Sequence, residues 1–364
     1  MPLEICAELD RDVAVYLAGE TIVIKVTVEN VASRGRAKEQ LAWGSVQLTC
    51  ERTTGTATTS SRERPTTAIA RSAATVFSSL PVIIFCDVQL SPGEKREFNC
   101  EIPMSRNGLP PTFRGQLVRY VNRIAVAVQQ LQAPIRLSYL PVRIIPAVGL
   151  ESKLSVPCNP FLAESMKRAT VAEVVTAAVD EMTMPRRSQA FALTNGNSRV
   201  ALLTLSKKAF RMGEDVCGHL DFADSDSPCV QYSVGLETEE SLVENSTVEA
   251  AQKSCRTHST TVSQTVCVCA FSPNSTFRLN VPLNAPASFT TDTVQLKWKL
   301  RFVFVVTAKA YEIRCSSGNT QSAAPVDVPI ESFSWTTDVA VLPCSPQNAA
   351  LLDSSFCSKV SLLV

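Results

Sequence analysis

The sequence predicts an all-β protein: two tandem antiparallel β-sandwiches joined by a linker with one candidate helix. The first observation is a long-range repeat. Residues 110–128, PPTFRGQLVRYVNRIAVAV, return at 286–306 as PASFTTDTVQLKWKLRFVFVV. Aligned on Phe113 and Phe289, Pro110 falls on Pro286, Val118 on Val294 and Tyr120 on Leu296. The second observation is alternation within the repeat. Leu296, Trp298, Leu300, Phe302 and Phe304 point one way, and Lys297, Lys299 and Arg301 the other, as in a strand with one wet face. The third is that the remaining apolar runs are short, bounded by turn residues and without alternating helices, which favours sandwiches. A chain of 364 residues exceeds one ordinary core and leaves each sandwich enough to bury.

Residues 1–147 form the first sandwich in this reading. Strands are expected at 4–10 and 21–29, the second alternating Ile22, Ile24, Val26 and Val28. Between them Leu17-Ala18-Gly19-Glu20 is a turn, with glycine supplying a backbone conformation that other residues resist. The next strand, LAWGSVQLTC at 41–50, carries Trp43 as a core anchor. Residues 52–79 are dominated by Thr, Ser, Ala and Arg and read as a mobile loop, too poor in apolar area to offset the entropy of ordering. Strands resume at 82–87 and 95–102 around the turn Ser91-Pro92-Gly93-Glu94. The repeat strand with Phe113 and Gly115 follows, and 135–145 closes the sandwich.

Residues 148–187 read as a linker, with a helix expected within 161–184 from the rough helical spacing of Leu162, Met166, Val171, Val174, Val175 and Ala178. The second sandwich occupies 188–345. Asn195-Gly196-Asn197 marks a hairpin, and Met212-Gly213-Glu214 repeats the earlier Gly-Glu turn. A strand at 229–237 is the analogue of 41–50, 238–258 reads as a polar acidic loop, and 332–342, with Trp335, closes the domain. Residues 346–364 read as a weak tail.

Composition narrows function mainly by exclusion. A net charge of +1 gives no global attraction to nucleic acid or acidic lipid, so no nucleic-acid partner is expected. No apolar run approaches the roughly 18–20 residues that a spanning helix needs. The first residues lack a basic segment followed by an apolar one, so a cytosolic protein is expected. The 13 cysteines, scattered and odd in number, then read as buried thiols acting as small hydrophobes. In the same compartment the sequons at Asn245 and Asn274 carry no sugar.

No catalytic constellation is expected. His219 and His258 are the only histidines, and no nucleophile elbow, P-loop, dinucleotide fingerprint or paired-histidine zinc helix is present, so no cofactor is implied. Cys255 and His258 followed by Cys267 and Cys269 approach a zinc pattern, but a C-x-C pair on a strand is a poor knuckle. Glu237, Glu239, Glu240 and Glu244 read as a solvated acidic run rather than acid–base machinery. The basic stripe Lys297, Lys299 and Arg301, with Arg119 and Arg123 as its counterparts, is either a solubilising sheet face or a docking surface for an acidic partner or membrane headgroups.

Several blocks carry a family resemblance. Tandem sandwiches, a Gly-Glu turn at the start of each and Pro-x-x-Phe before a long strand resemble the arrestin fold. LAGE (17–20), LAWGSVQLTC (41–50), FCDVQLSPGE (85–94), PPTFRGQLVRYV (110–121), FRMGEDVCGHLDF (210–222), CVQYSVGLETEE (229–240), VQLKWKLRFVFV (294–305) and VPIESFSWTTDVAVLP (328–343) together resemble the Rgp-type subunit of the Ric–Rgp complex. That complex is the Golgi guanine-nucleotide exchange factor for Rab GTPases of the six class. The resemblance implies a non-enzymatic subunit bound to a larger propeller-containing Ric-type partner and to the Rab, peripheral on the Golgi membrane, in retrograde transport. It transfers no catalytic residue, since the matched Gly, Trp and Phe positions are those that turns and cores demand. The alternatives are a cargo-sorting scaffold, which the fold alone allows, and a ubiquitin-ligase adaptor. The latter is disfavoured because Pro110-Pro111-Thr112-Phe113 lacks the tyrosine such adaptors use.

Overall fold

The computed structural model describes residues 3–31, 38–54, 73–106, 108–148, 170–243, 257–307, 314–315, 322–323, 328–351 and 355–363. In chain order the first half gives β1 (Leu3–Val13), β2 (Val15–Leu17), β3 (Thr21–Asn30), β4 (Glu39–Thr54), β5 (Ala73–Ser78), β6 (Val82–Leu90), β7 (Lys95–Pro103), β8 (Phe113–Arg114), β9 (Val118–Gln130) and β10 (Arg136–Ile145). Helix α1 (Val171–Thr183) precedes β11 (Gln189–Asn195), β12 (Ser198–Leu205), β13 (Ala209–Arg211), β14 (Asp215–Asp221), β15 (Cys229–Leu242) and β16 (Thr257–Val268). There follow β17 (Asn274–Asn280), β18 (Phe289–Thr290), β19 (Val294–Thr307), β20 (Arg314–Cys315), β21 (Ser322–Ala323), β22 (Ile330–Leu342), α2 (Pro346–Ala350) and β23 (Cys357–Leu363).

The all-β reading holds. In the first half a four-stranded sheet, β23-β1-β3-β7, faces a seven-stranded one ordered β2-β10-β9-β4-β5, with β6 also on β4 and β8 on β9. In the second half a four-stranded sheet, β11-β12-β14-β17, faces a six-stranded one ordered β13-β22-β19-β15-β16, with β18 on β19. The small pair β20-β21 stands apart. Pairing is antiparallel except where the short strands β2 and β13 run parallel to β10 and β22.

Alternation builds both cores. Burial along β9 alternates without a break from Val118 to Gln130, and β19 buries Leu296, Trp298, Leu300, Phe302 and Phe304 as the period-two pattern requires. Ile5, Ile24 and Val26 of the first small sheet meet Val46, Leu48, Ile124 and Val126 of its partner. In the second core Leu203, Leu205 and Leu220 meet Val234, Leu236 and Leu300. Phe302 adds an edge contact to Phe277, ring centroids 5.4 Å apart. Each such aliphatic or aromatic side chain contributes about 1.5–3 kcal/mol by leaving water.

The repeat extends to hydrogen bonds. The Asn122 amide donates to the Pro110 carbonyl at 3.0 Å, and the aligned Trp298 indole N–H donates to Pro286 at 3.1 Å. Thr112 and the aligned Ser288 each accept from a strand N–H through their hydroxyls, Ile144 at 2.9 Å and Val341 at 3.1 Å. The Gly-Glu turns are also built alike. Gly19 and Gly213 take φ of 91° and 85°, the left-handed region that favours glycine. The following carboxylate turns back to accept the N–H three residues earlier, Leu17 to Glu20 at 2.7 Å and Arg211 to Glu214 at 2.9 Å. Ser91 to Glu94, at 2.8 Å, is a third copy, with Gly93 at φ 80°. A cation sits on the other oxygen each time: Arg11 on Glu20, Lys207 on Glu214 and Arg96 on Glu94.

Several expectations change. The ends of the 52–79 loop are strands, because β4 runs on to Thr54 and β5 pairs with it from Ala73 to Ser78; residues 55–72 lie outside the described residues. The helix begins only at Val171, where Thr170 and Glu173 form a reciprocal capping box that sets its start. The 238–258 loop shrinks because β15 continues in register with β19 to Leu242; residues 244–256 lie outside the described residues. Trp43 is half-buried rather than a core anchor. Val46, Leu48 and Cys50 make the even positions of β4 its core face, so Trp43 points outward, where its indole N–H donates to Gln129 at 2.6 Å, and the register shift between Leu41 and Trp43 lets Leu41 turn inward. The C-terminal tail is ordered structure: β23 adds to the edge of β1, with Lys359 opposite Glu8 and Ser361 bonded to Glu4. Opposite charges facing each other across the pair favour that register.

Candidate functional site at the junction of the sandwiches

Residues aligned by the repeat meet each other where the two halves join. Phe113 on β8 and Phe289 on β18, which lead into the two repeat strands, pack edge to face with centroids 5.1 Å apart. That geometry aligns the positive edge of one ring with the negative face of the other. Leu242, Phe289, Val294 and Leu296 of the second half belong to the first core, while Val15, Leu17 and Ile145 of the first half belong to the second. The junction is therefore continuous core rather than a wet seam.

Its polar centre is Glu240, on β15 and only 4% exposed. Its carboxylate crosses to the turn before β9 and accepts three backbone N–H groups: Gln116 at 2.7 Å, Leu117 at 3.0 Å and Val118 at 2.7 Å. Three charge-assisted bonds compensate the desolvation that would otherwise forbid a carboxylate here. The bonds also explain Gly115. A Cβ there would stand 2.4 Å and 2.5 Å from the Glu240 oxygens and 2.5 Å from the Phe113 ring, so only glycine lets the carboxylate approach.

The reverse contact starts from the equivalent place. Glu240 lies opposite Leu296 on β19, and Arg52 lies opposite the aligned Tyr120 on β9. Arg52 crosses the other way and donates to the Thr293 hydroxyl at 2.6 Å, in the turn before β19. Tyr120 reaches the same turn, 3.0 Å from the Thr291 hydroxyl, and burial pushes its phenol pKa up. Each sandwich thus sends one charged side chain into the other's turn. Arg143 adds a third link, donating to the Ala349 and Leu283 carbonyls, each at 3.4 Å.

Of the residues singled out in the sequence, Phe113, Gly115 and Phe289 come together at this junction, with Trp298 buried just beneath in the second core. Gly19, Glu20, Gly213 and Glu214 build turns, and Trp335 lies half-buried against Phe302 and Phe191. The basic stripe lies elsewhere, on the outer sheet faces. There Lys299 pairs with Glu239 at 2.6 Å and Arg301 approaches Glu237 at 4.0 Å. Arg123 pairs with Glu51 and lies over the Tyr139 ring. Lys297 is exposed and Arg119 half-buried. The acidic residues first read as a solvated run divide: Glu237 and Glu239 serve this outer ladder, and Glu240 turns inward. Glu244 lies outside the described residues.

Cys255 also lies outside the described residues. His258 and Cys267 sit on β16, while the Cys269 thiol is buried and donates to the Cys229 carbonyl at 3.5 Å. Hydrogen bonding with Cys269, reinforced by burial, pushes the Cys229 thiol up and keeps it protonated. Among the described residues no three His, Cys, Asp or Glu side chains gather as a metal site, and no helix is long and apolar enough to cross a membrane.

Residues 151–307, covering much of the linker and the second sandwich, match the family model described as Rgp1. The chain is 29% identical over 379 residues to RAB6A-GEF complex partner protein 2 of Homo sapiens, covering 96% of each. It is likewise 29% identical over 393 residues to RAB6A-GEF complex partner protein 2 of Bos taurus, covering 98% of each. The two near-full-length matches run through both sandwiches and bear out the resemblance of the sequence blocks to an Rgp-type subunit.

Proposed function

We propose that this chain is the non-catalytic subunit of a two-subunit guanine-nucleotide exchange factor for a Rab GTPase of the six class. It binds a larger, propeller-containing Ric-type subunit and works peripherally on the Golgi membrane in retrograde endosome-to-Golgi and intra-Golgi transport. The observation that carries this reading is the near-full-length similarity to proteins named as partners in a RAB6A-GEF complex.

The physical character of the molecule supports it. Glu20, Glu94, Glu214 and Glu240 are each committed to backbone N–H groups, so these carboxylates hold turns and the junction together. A continuous core and reciprocal polar links make the pair of sandwiches a stiff platform, which keeps the ordering cost of binding a partner low. Arg119, Arg123, Lys297, Lys299 and Arg301 on the outer faces are the proposed partner contacts, with Lys297 the most available cation of the set.

Nucleotide release from the Rab tests the reading, measured with this chain alone, with the Ric-type subunit alone and with both. Negligible release with this chain alone and fast release with both is the expected result. Full exchange activity from this chain alone would sink the proposal.

A further inference from the structure

The sheet edge formed by β16 presents backbone with no partner strand on its outer side among the described residues. Natural sheets guard long edges with charge, proline or strong bulges, because an open row of N–H and C=O groups pairs with any available strand. The edge strand β7 follows that rule, carrying Lys95, Arg96, Glu97, Glu101 and Pro103. The edge strand β16 carries only one such guard, a register shift near its middle. It is 12 residues long, THSTTVSQTVCV, and contains no Lys, Arg, Asp, Glu or Pro. A register shift falls between Ser263 and Thr261, so residues 263–268 run straight against 231–236.

The outward face of that segment carries Gln264 and then two exposed valines. Val266 is 58% exposed and Val268 is 70% exposed. Across β15 they continue through Ser233 and Gln231 to Val303 and Val305 on β19. An incoming strand would find cross-strand partners for β-branched or other apolar side chains there, and no counter-charge along 263–268 for a Lys or Glu. The fold already accepts a remote strand in this manner, since β23 adds to the edge of β1.

We infer that residues 263–268 of β16 are a strand-acceptor site that takes an extended, uncharged, β-branched or apolar segment of the Ric-type subunit. Main-chain hydrogen bonds supply the affinity, and the positions facing Val266 and Val268 supply the selectivity. Choosing a partner subunit over a second copy of this chain rests on the proposed function above.

Hydrogen–deuterium exchange on the full chain, free and bound to the Ric-type subunit, reads the site directly. Amides within 263–268 are expected to exchange at least tenfold more slowly in the complex. The variant V266K/V268K places lysines at exposed positions along the edge and is expected to weaken binding at least tenfold. V23K, on the outer face of the β23-β1-β3-β7 sheet, should stay within twofold. Unchanged exchange at 263–268 in a formed complex, or V266K/V268K binding within twofold of the wild type, overturns the inference. So does protection that rises with the concentration of this chain alone, which assigns the edge to a second copy. If no complex forms, the proposed function fails first, an outcome distinct from a complex that leaves β16 untouched.

Discussion

Replacing Glu240 with glutamine tests whether the junction is a designed contact or incidental packing. The substitution preserves shape and removes the charge. Oε1 accepts from Leu117 and Val118, and Oε2 accepts from Gln116. A glutamine oxygen can keep the first pair, but as neutral bonds worth about 1 kcal/mol less each, and its NH2 then faces the Gln116 N–H. That orphaned donor costs a further ~1–3 kcal/mol, for a total of roughly 3–5 kcal/mol. If the junction opens locally, 3 kcal/mol raises the exchange rate of the 116–118 amides by about a hundredfold, at 1.36 kcal/mol per tenfold. Hydrogen exchange measures that, and calorimetry asks whether one unfolding transition becomes two. A double-mutant cycle with Gly115→Ala adds a geometric check. The new Cβ clashes with the Glu240 carboxylate, so G115A should cost at least about 1 kcal/mol less in an E240A background, with the Phe113 clash remaining in both. Additive costs, or an E240Q penalty under about 1 kcal/mol, would refute the reasoning.

Two further outcomes follow from the turns and the thiols. Gly93→Ala and Gly213→Ala both force alanine to positive φ, about 1–2 kcal/mol of strain, but only Gly213 has a neighbour in the way, the Leu283 side chain at 2.5 Å. G213A should therefore lower the thermal midpoint more than G93A, and equal shifts would remove the steric part of the argument. Thiol alkylation at pH 8 should label the exposed Cys86, Cys217 and Cys357 quickly. Burial pushes Cys50 up to about 12 and Cys100 up to about 11, so at most roughly a thousandth of either is thiolate, and mass spectrometry should find them modified only after unfolding.

The cores were legible because alternation reports burial without needing tertiary information. β9 and β19 fall where the repeat places them, and the Gly-Glu turns are visible as letters. What escaped reading was decided by contacts remote in sequence. Residues 357–363 look like a tail because their stabilisation comes from β1, at the other end of the chain. Trp43 looks like an anchor because size suggests burial, whereas it sits on the outer phase of β4 and its partner is the distant Gln129.

Glu240 shows where composition misleads and parity does not. Within ETEESLVEN it reads as one of several solvated acids. Yet β15 buries Tyr232, Val234 and Leu236 and returns to the same phase at Leu242. Glu240 shares that even-numbered phase, so a carboxylate pointing toward the core was implied by counting, and a buried carboxylate demands donors. The matching role of Arg52 was less accessible. The repeat strands are offset by one spacing and the strands bearing Arg52 and Glu240 by another, because the loops between them differ in length. Only the pairing of Arg52 with Tyr120 and Glu240 with Leu296 reveals them as equivalents. The repeat also had a consequence that one-dimensional alignment cannot express, which is that its two copies touch. Phe113 against Phe289, and opposite charges sent into each other's turns, make the junction a near-symmetric contact between halves that differ in sequence. Such a junction resists hinge motion, because opening it breaks a shared core and unpairs a buried carboxylate at the same time.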